Sequence, residues 1–159
     1  METPTEIDWL WMAFKILAVL LLVALNGFFV AAEFALVKTR QTQLKPLVEE
    51  GQGRAKVAHF IIDNLDAFLS ACQLGITLAS LALGWIGEPI FETLLEPVFH
   101  WLAIKSETAK STISFGVGFS IITILHIVVG EIAPKSLAIQ KPLPTSLWVA
   151  YPMMWFYRL

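Results

Sequence analysis

The chain has 159 residues, which is room for one domain; 57% are hydrophobic, 15% are charged and the mean hydropathy is +0.69. A soluble domain carries about 25% charged residues, so this composition excludes a cytosolic globular enzyme and a disordered chain and points to a membrane domain. The net charge of −2 comes with no clustered basic surface, which excludes a nucleic-acid binder, and the single cysteine, Cys72, leaves no internal disulfide and no cysteine zinc site.

Met1 to Asp8 holds Glu2, Glu6 and Asp8 and no basic residue. A secretory signal peptide starts with positive charge, so the first apolar run is predicted to stay in place as a span. Three spans are predicted, at about 11–35, 67–87 and 111–133, each near the ~20 residues that a hydrocarbon crossing needs. Lys15 belongs to the first if its ammonium snorkels to the surface. That span carries Asn26-Gly27 at its middle and Glu33 seven residues on, on the same helical face. The plain reading of Asn26 is an interhelical hydrogen bond, worth about 0.6–2 kcal/mol; that of Glu33 is a cap or a lysine partner. Gly27, Ala31 and Ala35 recur every four residues and admit a close neighbour.

The loop 38–66 places Leu44, Leu47, Val48, Val57, Phe60 and Ile61 at helical spacing, interrupted by Gly51 and Gly53. It reads as a helix, a turn and a second helix at the membrane surface. It also holds Lys38, Arg40, Lys45, Arg54 and Lys56, whereas the second connection has only Lys105 and Lys110. Cytoplasmic loops collect Lys and Arg, so the loop and the C-terminus are expected inside and the N-terminus outside.

Span two carries Ser70, Gln73, Thr77 and Ser80 at intervals of three, four and three, a polar stripe on one face. Two readings stand side by side: helix–helix glue, with hydroxyls bonded to their own helix, or the lining of a wet, ion-carrying interior. Gly84, Gly87 and Pro89 are predicted to end this helix. A separate interfacial helix is then expected, with Glu88, Glu92 and Glu96 on one face and Phe91, Leu94, Leu95 and Phe99 on the other.

Span three runs through Ser120, Thr123 and His126 into Gly130-Glu131-Ile132-Ala133-Pro134-Lys135. Pro134 has no N–H for the carbonyl four residues before it, which is that of Gly130. A helix break at Pro134 is predicted, with a bare carbonyl beside a carboxylate; unwound carbonyls of this kind coordinate cations in transporters. The plain alternative is a helix end with Glu131 paired to Lys135. A histidine among serines raises the idea of an intramembrane protease. There is no Gly-x-Ser-x-Gly pattern, however, and Ser70 is followed by Ala71-Cys72, so His126 reads as an interhelical hydrogen-bonder. The stretch 142–157 is uncharged but holds Pro142, Pro144 and Pro152, and its Trp148, Tyr151, Trp155 and Tyr157 suit the headgroup level. It is predicted as a juxtamembrane helix. The ending at Arg158-Leu159, with no polar tail, is read as a membrane domain taken from a longer protein.

Taken together, Asn26, Ser70, Gln73, Thr77, the Gly130 carbonyl and Glu131 are oxygen donors, with Glu33, His126 and Lys135 as supporting residues. Oxygen ligation with few carboxylates suits Mg²⁺ or Na⁺ over zinc or copper. The competing reading is a regulatory or scaffold membrane protein whose polar stripes are packing contacts.

Three motifs carry a family resemblance. Asn26-Gly27-Phe28-Phe29-Val30-Ala31-Ala32-Glu33-Phe34-Ala35-Leu36 resembles the first-helix signature of the CNNM/CorC magnesium transporters, and Gly130-Glu131-Ile132-Ala133-Pro134-Lys135 their Gly-Glu-x-x-Pro-Lys signature. Thr77 to Pro89 resembles the second helix of the bacterial CorC-like branch. The resemblance implies an all-α integral membrane fold of three transmembrane helices plus juxtamembrane helices, a homodimer, and the bacterial inner membrane. It further implies Mg²⁺ transport driven by Na⁺ exchange, with Mg²⁺ held between helices around the Gly-Glu pair. Cytosolic CBS domains that bind ATP–Mg²⁺ are expected in the full-length protein and are absent here. For the dimer, Gly75 and Ala79 offer a close-packing face, with Phe91 to Phe99 supplying apolar contacts. The sequence departs from one branch of the family. Where that branch reads Ser-x-Phe-Phe-Ser-Gly-Ser-Glu, this chain has Asn26, Val30, Ala32 and Glu33. Where it reads Ile-Gly-Asn-Asn, this chain has Leu74-Gly75-Ile76-Thr77. Backbone carbonyls, such as that of Val30, or water would take the missing places.

Overall fold

The computed structural model describes residues 9–159. The acidic stretch Met1 to Asp8 and the side chain of Glu88, both used above, lie outside the described residues. The described residues form seven α-helices and one π-helical segment, with no strand among them. The helices are α1 (Trp9–Lys38), α2 (Gln41–Glu49), α3 (Gly53–Asp63), α4 (Leu65–Trp101), α5 (Glu107–Leu125), α6 (Ala133–Gln140) and α7 (Pro142–Tyr157). The π segment, His126–Ile132, joins α5 to α6 without interruption.

Among the described residues three stretches are long and apolar enough to cross a membrane: Leu10–Lys38, Leu65–Trp101 and Glu107–Gln140. Each contains one of the expected spans and runs past it. The excess is largest in α4, which continues through Gly84, Gly87 and Pro89 to Trp101. The separate interfacial helix expected from Glu88 on is therefore the last part of α4. Glycine and proline weaken a helix in water, where freed backbone groups find solvent. In hydrocarbon they find none, and the helix continues. The end comes at Ala103, whose left-handed φ of 52° turns the chain, with Ile104 N–H bonding back to the Phe99 carbonyl. Lys110 then ties α5 to α4, at 3.1 Å from both Glu96 and Glu107.

The helix–turn–helix expected in 38–66 is α2 and α3. Gly51, at φ 87°, closes α2. Its N–H bonds the Val48 carbonyl and Gln52 N–H bonds that of Leu47, the paired arrangement that satisfies the last carbonyls of a helix. The sixteen residues of α7 fall short of the ~20 that a crossing needs. This helix packs on α1 and α3, burying Val149, Ala150 and Met153 completely.

Two large apolar clusters lie along α1, besides a small one of Ala31, Ala35 and Ala138. One joins Phe29, Ala32 and Leu36 to Leu44, Ile61, Phe68 and Met153, where α1, the α2–α3 hairpin, the start of α4 and α7 meet. The other joins Met12, Val19 and Val23 to Leu83 and Ile90 of α4. Between Val23 and Phe29 of α1, and between Cys72 and Leu83 of α4, the packing turns polar.

Candidate functional site

That polar layer is built by four residues from three segments. Asn26 of α1 is only 2% exposed. Its Nδ2 donates to the Gly130 carbonyl at 2.9 Å. Ser80 of α4 donates to Asn26 Oδ1 at 3.3 Å, and the Ser80 hydroxyl lies 3.4 Å from His126 Nε2.

The π segment places the carbonyl. Pro134 withholds the N–H that an α-helix would aim at Gly130. The helix stays wound by widening, so that Ala133 N–H reaches back five residues to the Val128 carbonyl. The expected break at Pro134 is thus corrected: the chain runs on as a π turn, and the carbonyl freed at Gly130 is taken by a side chain from another helix. The two glycines make the approach possible. A Cβ on Gly27 would sit 2.9 Å from Pro134 Cγ and 3.4 Å from the Val129 carbonyl oxygen. One on Gly130 would sit 3.0 Å from His126 Cδ2 and 3.3 Å from Asn26 Nδ2. The Asn26-Gly27 and Gly130…Pro134 motifs therefore interlock.

The other predicted residues fall elsewhere. Ser70, Gln73 and Thr77 are exposed on α4. Ser70 and Thr77 bond the Asp66 and Gln73 carbonyls of their own helix, at 2.9 and 2.8 Å. No hydrogen bond joins these three to Asn26, Gly130 or Glu131, so within one protomer they do not complete a ligand shell. Glu131 is exposed and forms no ion pair with Lys135. Lys135 instead lies 4.4 Å from the Phe34 ring centroid and is near enough to Glu33 for their charges to attract. Among the described residues no three of His, Cys, Asp and Glu are grouped to hold a metal. Ser80 was visible only as one member of the α4 stripe; the structure makes it the member that reaches the site. Gly75 and Ala79 are buried within the protomer, Gly75 against the Phe29 ring. Phe99 is buried too, and Phe91 packs on Gly118. The close-packing faces assigned to a dimer are thus taken up inside one chain.

Among the described residues one buried side-chain polar group has no partner. The Ser114 hydroxyl makes no hydrogen bond and lines a cleft of about 80 Å³ with Gly84, Phe115, Gly118, Phe119 and Ile122.

A polar layer between apolar clusters, on three helices of spanning length, defines a multi-pass membrane domain. The chain belongs to the CNNM family: the model of the cyclin M transmembrane N-terminal domain matches residues 16–159. It is 49% identical over 145 residues to UPF0053 protein YugS of Bacillus subtilis, covering 91% of this chain and 34% of that protein. It is 48% identical over 139 residues to UPF0053 protein YrkA of the same organism, with 87% and 32% covered. It is 35% identical over 136 residues to UPF0053 protein sll0260 of Synechocystis, with 85% and 30% covered. The chain therefore spans about a third of the length of these bacterial relatives. Domains of this family are membrane modules related to ion transport, not catalytic enzymes.

Proposed function

We propose that this domain carries Mg²⁺ across the bacterial inner membrane, as a homodimer and in exchange for Na⁺, with export as the direction. The observation that carries the reading is the Gly130 carbonyl, denied an α-helical N–H by Pro134 and accepting from the neutral Asn26 amide, 2.9 Å away. Hard cations take such oxygens, and half-wound helices in transporters supply them. The neighbouring Glu131 is an exposed carboxylate within a spanning helix. Ser70, Gln73 and Thr77 likewise turn polar groups outward from α4. Polar groups in hydrocarbon face a partner or a water-filled cavity, so a second copy against these faces fits both. One carboxylate with neutral oxygens binds Mg²⁺ loosely enough for release, and Na⁺ accepts the same set. The surplus of Lys and Arg in 38–56 supports an outside N-terminus and a cytoplasmic C-terminus. In a full-length protein, CBS domains that bind ATP–Mg²⁺ would control the transport domain.

Calorimetry of Mg²⁺ binding to the wild type and to Glu131→Ala tests the site. The expected result is binding by the wild type and an affinity roughly tenfold or more weaker in the variant, a loss of at least about 1.4 kcal/mol. Unchanged affinity in a folded variant, or no binding by the wild type, would favour the scaffold reading, in which the Asn26–Gly130 bond is packing alone.

A further inference from the structure

The Gly130 carbonyl fixes the direction of every hydrogen bond in the polar layer. A carbonyl oxygen only accepts, so the Asn26 atom 2.9 Å from it is Nδ2. That turns Oδ1 toward Ser80, 3.3 Å away. Oδ1 also only accepts, so the one Ser80 proton points at Asn26. Ser80 then has only lone pairs left for His126 Nε2 at 3.4 Å, and Nε2 must carry the ring proton. The chain reads His126 to Ser80 to Asn26, with Asn26 closing on Gly130.

A cation at the Gly130 carbonyl reverses this order. The amide nitrogen cannot face a cation, so Asn26 must turn Oδ1 toward the ion and Nδ2 toward Ser80. Ser80 then accepts from Asn26 and aims its proton at His126. Nε2 must now be bare. One proton leaves Nε2 to water, and water returns one to Nδ1. The His126 ring is half-buried, so water can reach it. We propose that Asn26, Ser80 and His126 form a hydrogen-bond chain with two opposite directions, one for the cation-free and one for the cation-bound site. Ser80 and His126 are then positioning residues, outside the ligand set. This inference rests on the Mg²⁺ reading above.

The test uses the whole domain in lipid nanodiscs, labelled with ¹⁵N-histidine, in mildly alkaline buffer where imidazole is neutral. Nitrogen spectra are taken without Mg²⁺ and at saturation, with His126 assigned by its loss in His126→Gln. The expected result is a proton on Nε2 without Mg²⁺ and on Nδ1 with it. In Ser80→Ala, Mg²⁺ should still bind within about tenfold of the wild type, about 1.4 kcal/mol, but His126 should no longer respond. Mg²⁺ bound by calorimetry with an unchanged His126 tautomer would overturn the chain and leave the transport reading standing. No Mg²⁺ binding by the wild type would overturn both. A His126 that still switched in Ser80→Ala would also overturn the chain, and if that variant does not fold, the two wild-type spectra decide alone.

Discussion

Asn26 engages both ends of its amide inside the bundle, with Gly130 at one end and Ser80 at the other. Replacing it by Ala leaves the buried Gly130 carbonyl without that donor and the half-buried Ser80 hydroxyl with His126 alone. The expected loss is about 1–3 kcal/mol, read from thermal or denaturant unfolding in detergent; an unchanged midpoint would show that the bond is not structural. Ser114 provides the contrast, since its hydroxyl is already unpaired. Ser114→Ala should be neutral or stabilising by up to about 1 kcal/mol in the same assay, because it removes a group whose desolvation nothing offsets. A clear loss of stability there would mean that Ser114 has a partner in the membrane. Asn26 and Gly130 could be named from sequence because a mid-span amide and a proline-freed carbonyl each need a partner. Ser80 could not be told from Ser70, Gln73 and Thr77. At 100° per residue, Ser70 and Ser80 sit about 80° apart around the helix, so intervals of three, four and three drift from the outer face to the inner one. Which end of such a stripe faces inward is decided by the neighbouring helix.

At the scale of elements, the π segment converts a proline into a site. The loss of one hydrogen bond was legible in the sequence; how the helix would answer was not. Unwinding and widening both accommodate the missing N–H, and close packing of Gly27 on Pro134 goes with the widened form. Pro134→Ala restores an N–H that can reach Gly130 and return the segment to an α-helix. The carbonyl would then be bonded within its own helix, and Mg²⁺ flux into proteoliposomes should fall by an order of magnitude or more, about 1.4 kcal/mol in the barrier. Flux at the wild-type rate would separate transport from the freed carbonyl.

For the molecule as a whole, three spans and an α2–α3 hairpin could be read from runs of apolar residues and from Gly51. The continuation of α4 to Trp101 could not, because helix propensities describe chains in water. Nor could the use of Gly75, since a small residue invites a neighbour without saying whose. The ring of Phe29 fills that place within the chain. The remaining face of α4 presents Gln73 and Thr77 among the exposed Leu74, Leu78 and Leu81. If this is where a second copy sits, Thr77→Cys should crosslink to its equivalent in membranes, and Gln73→Leu should weaken the dimer by about 1 kcal/mol, the scale of an interhelical polar contact. Monomer alone by mass in mild detergent, with no crosslinking at position 77, would rule out that face.

The π turn also gives a meaning to chain length. It is a helix that holds one residue more than its turns require, so an α-helical counterpart of 126–132 would be one residue shorter. Two related chains that differ by such a gap would share all three spans. Beyond the gap the side chains of α6 would keep their places, since the widened turn absorbs the extra residue; what would close is the turn that presents the Gly130 carbonyl. A single-residue gap aligned to this stretch would therefore mark the loss of the Asn26–Gly130 contact, and with it a change of trade, where a gap in a surface loop would mark nothing.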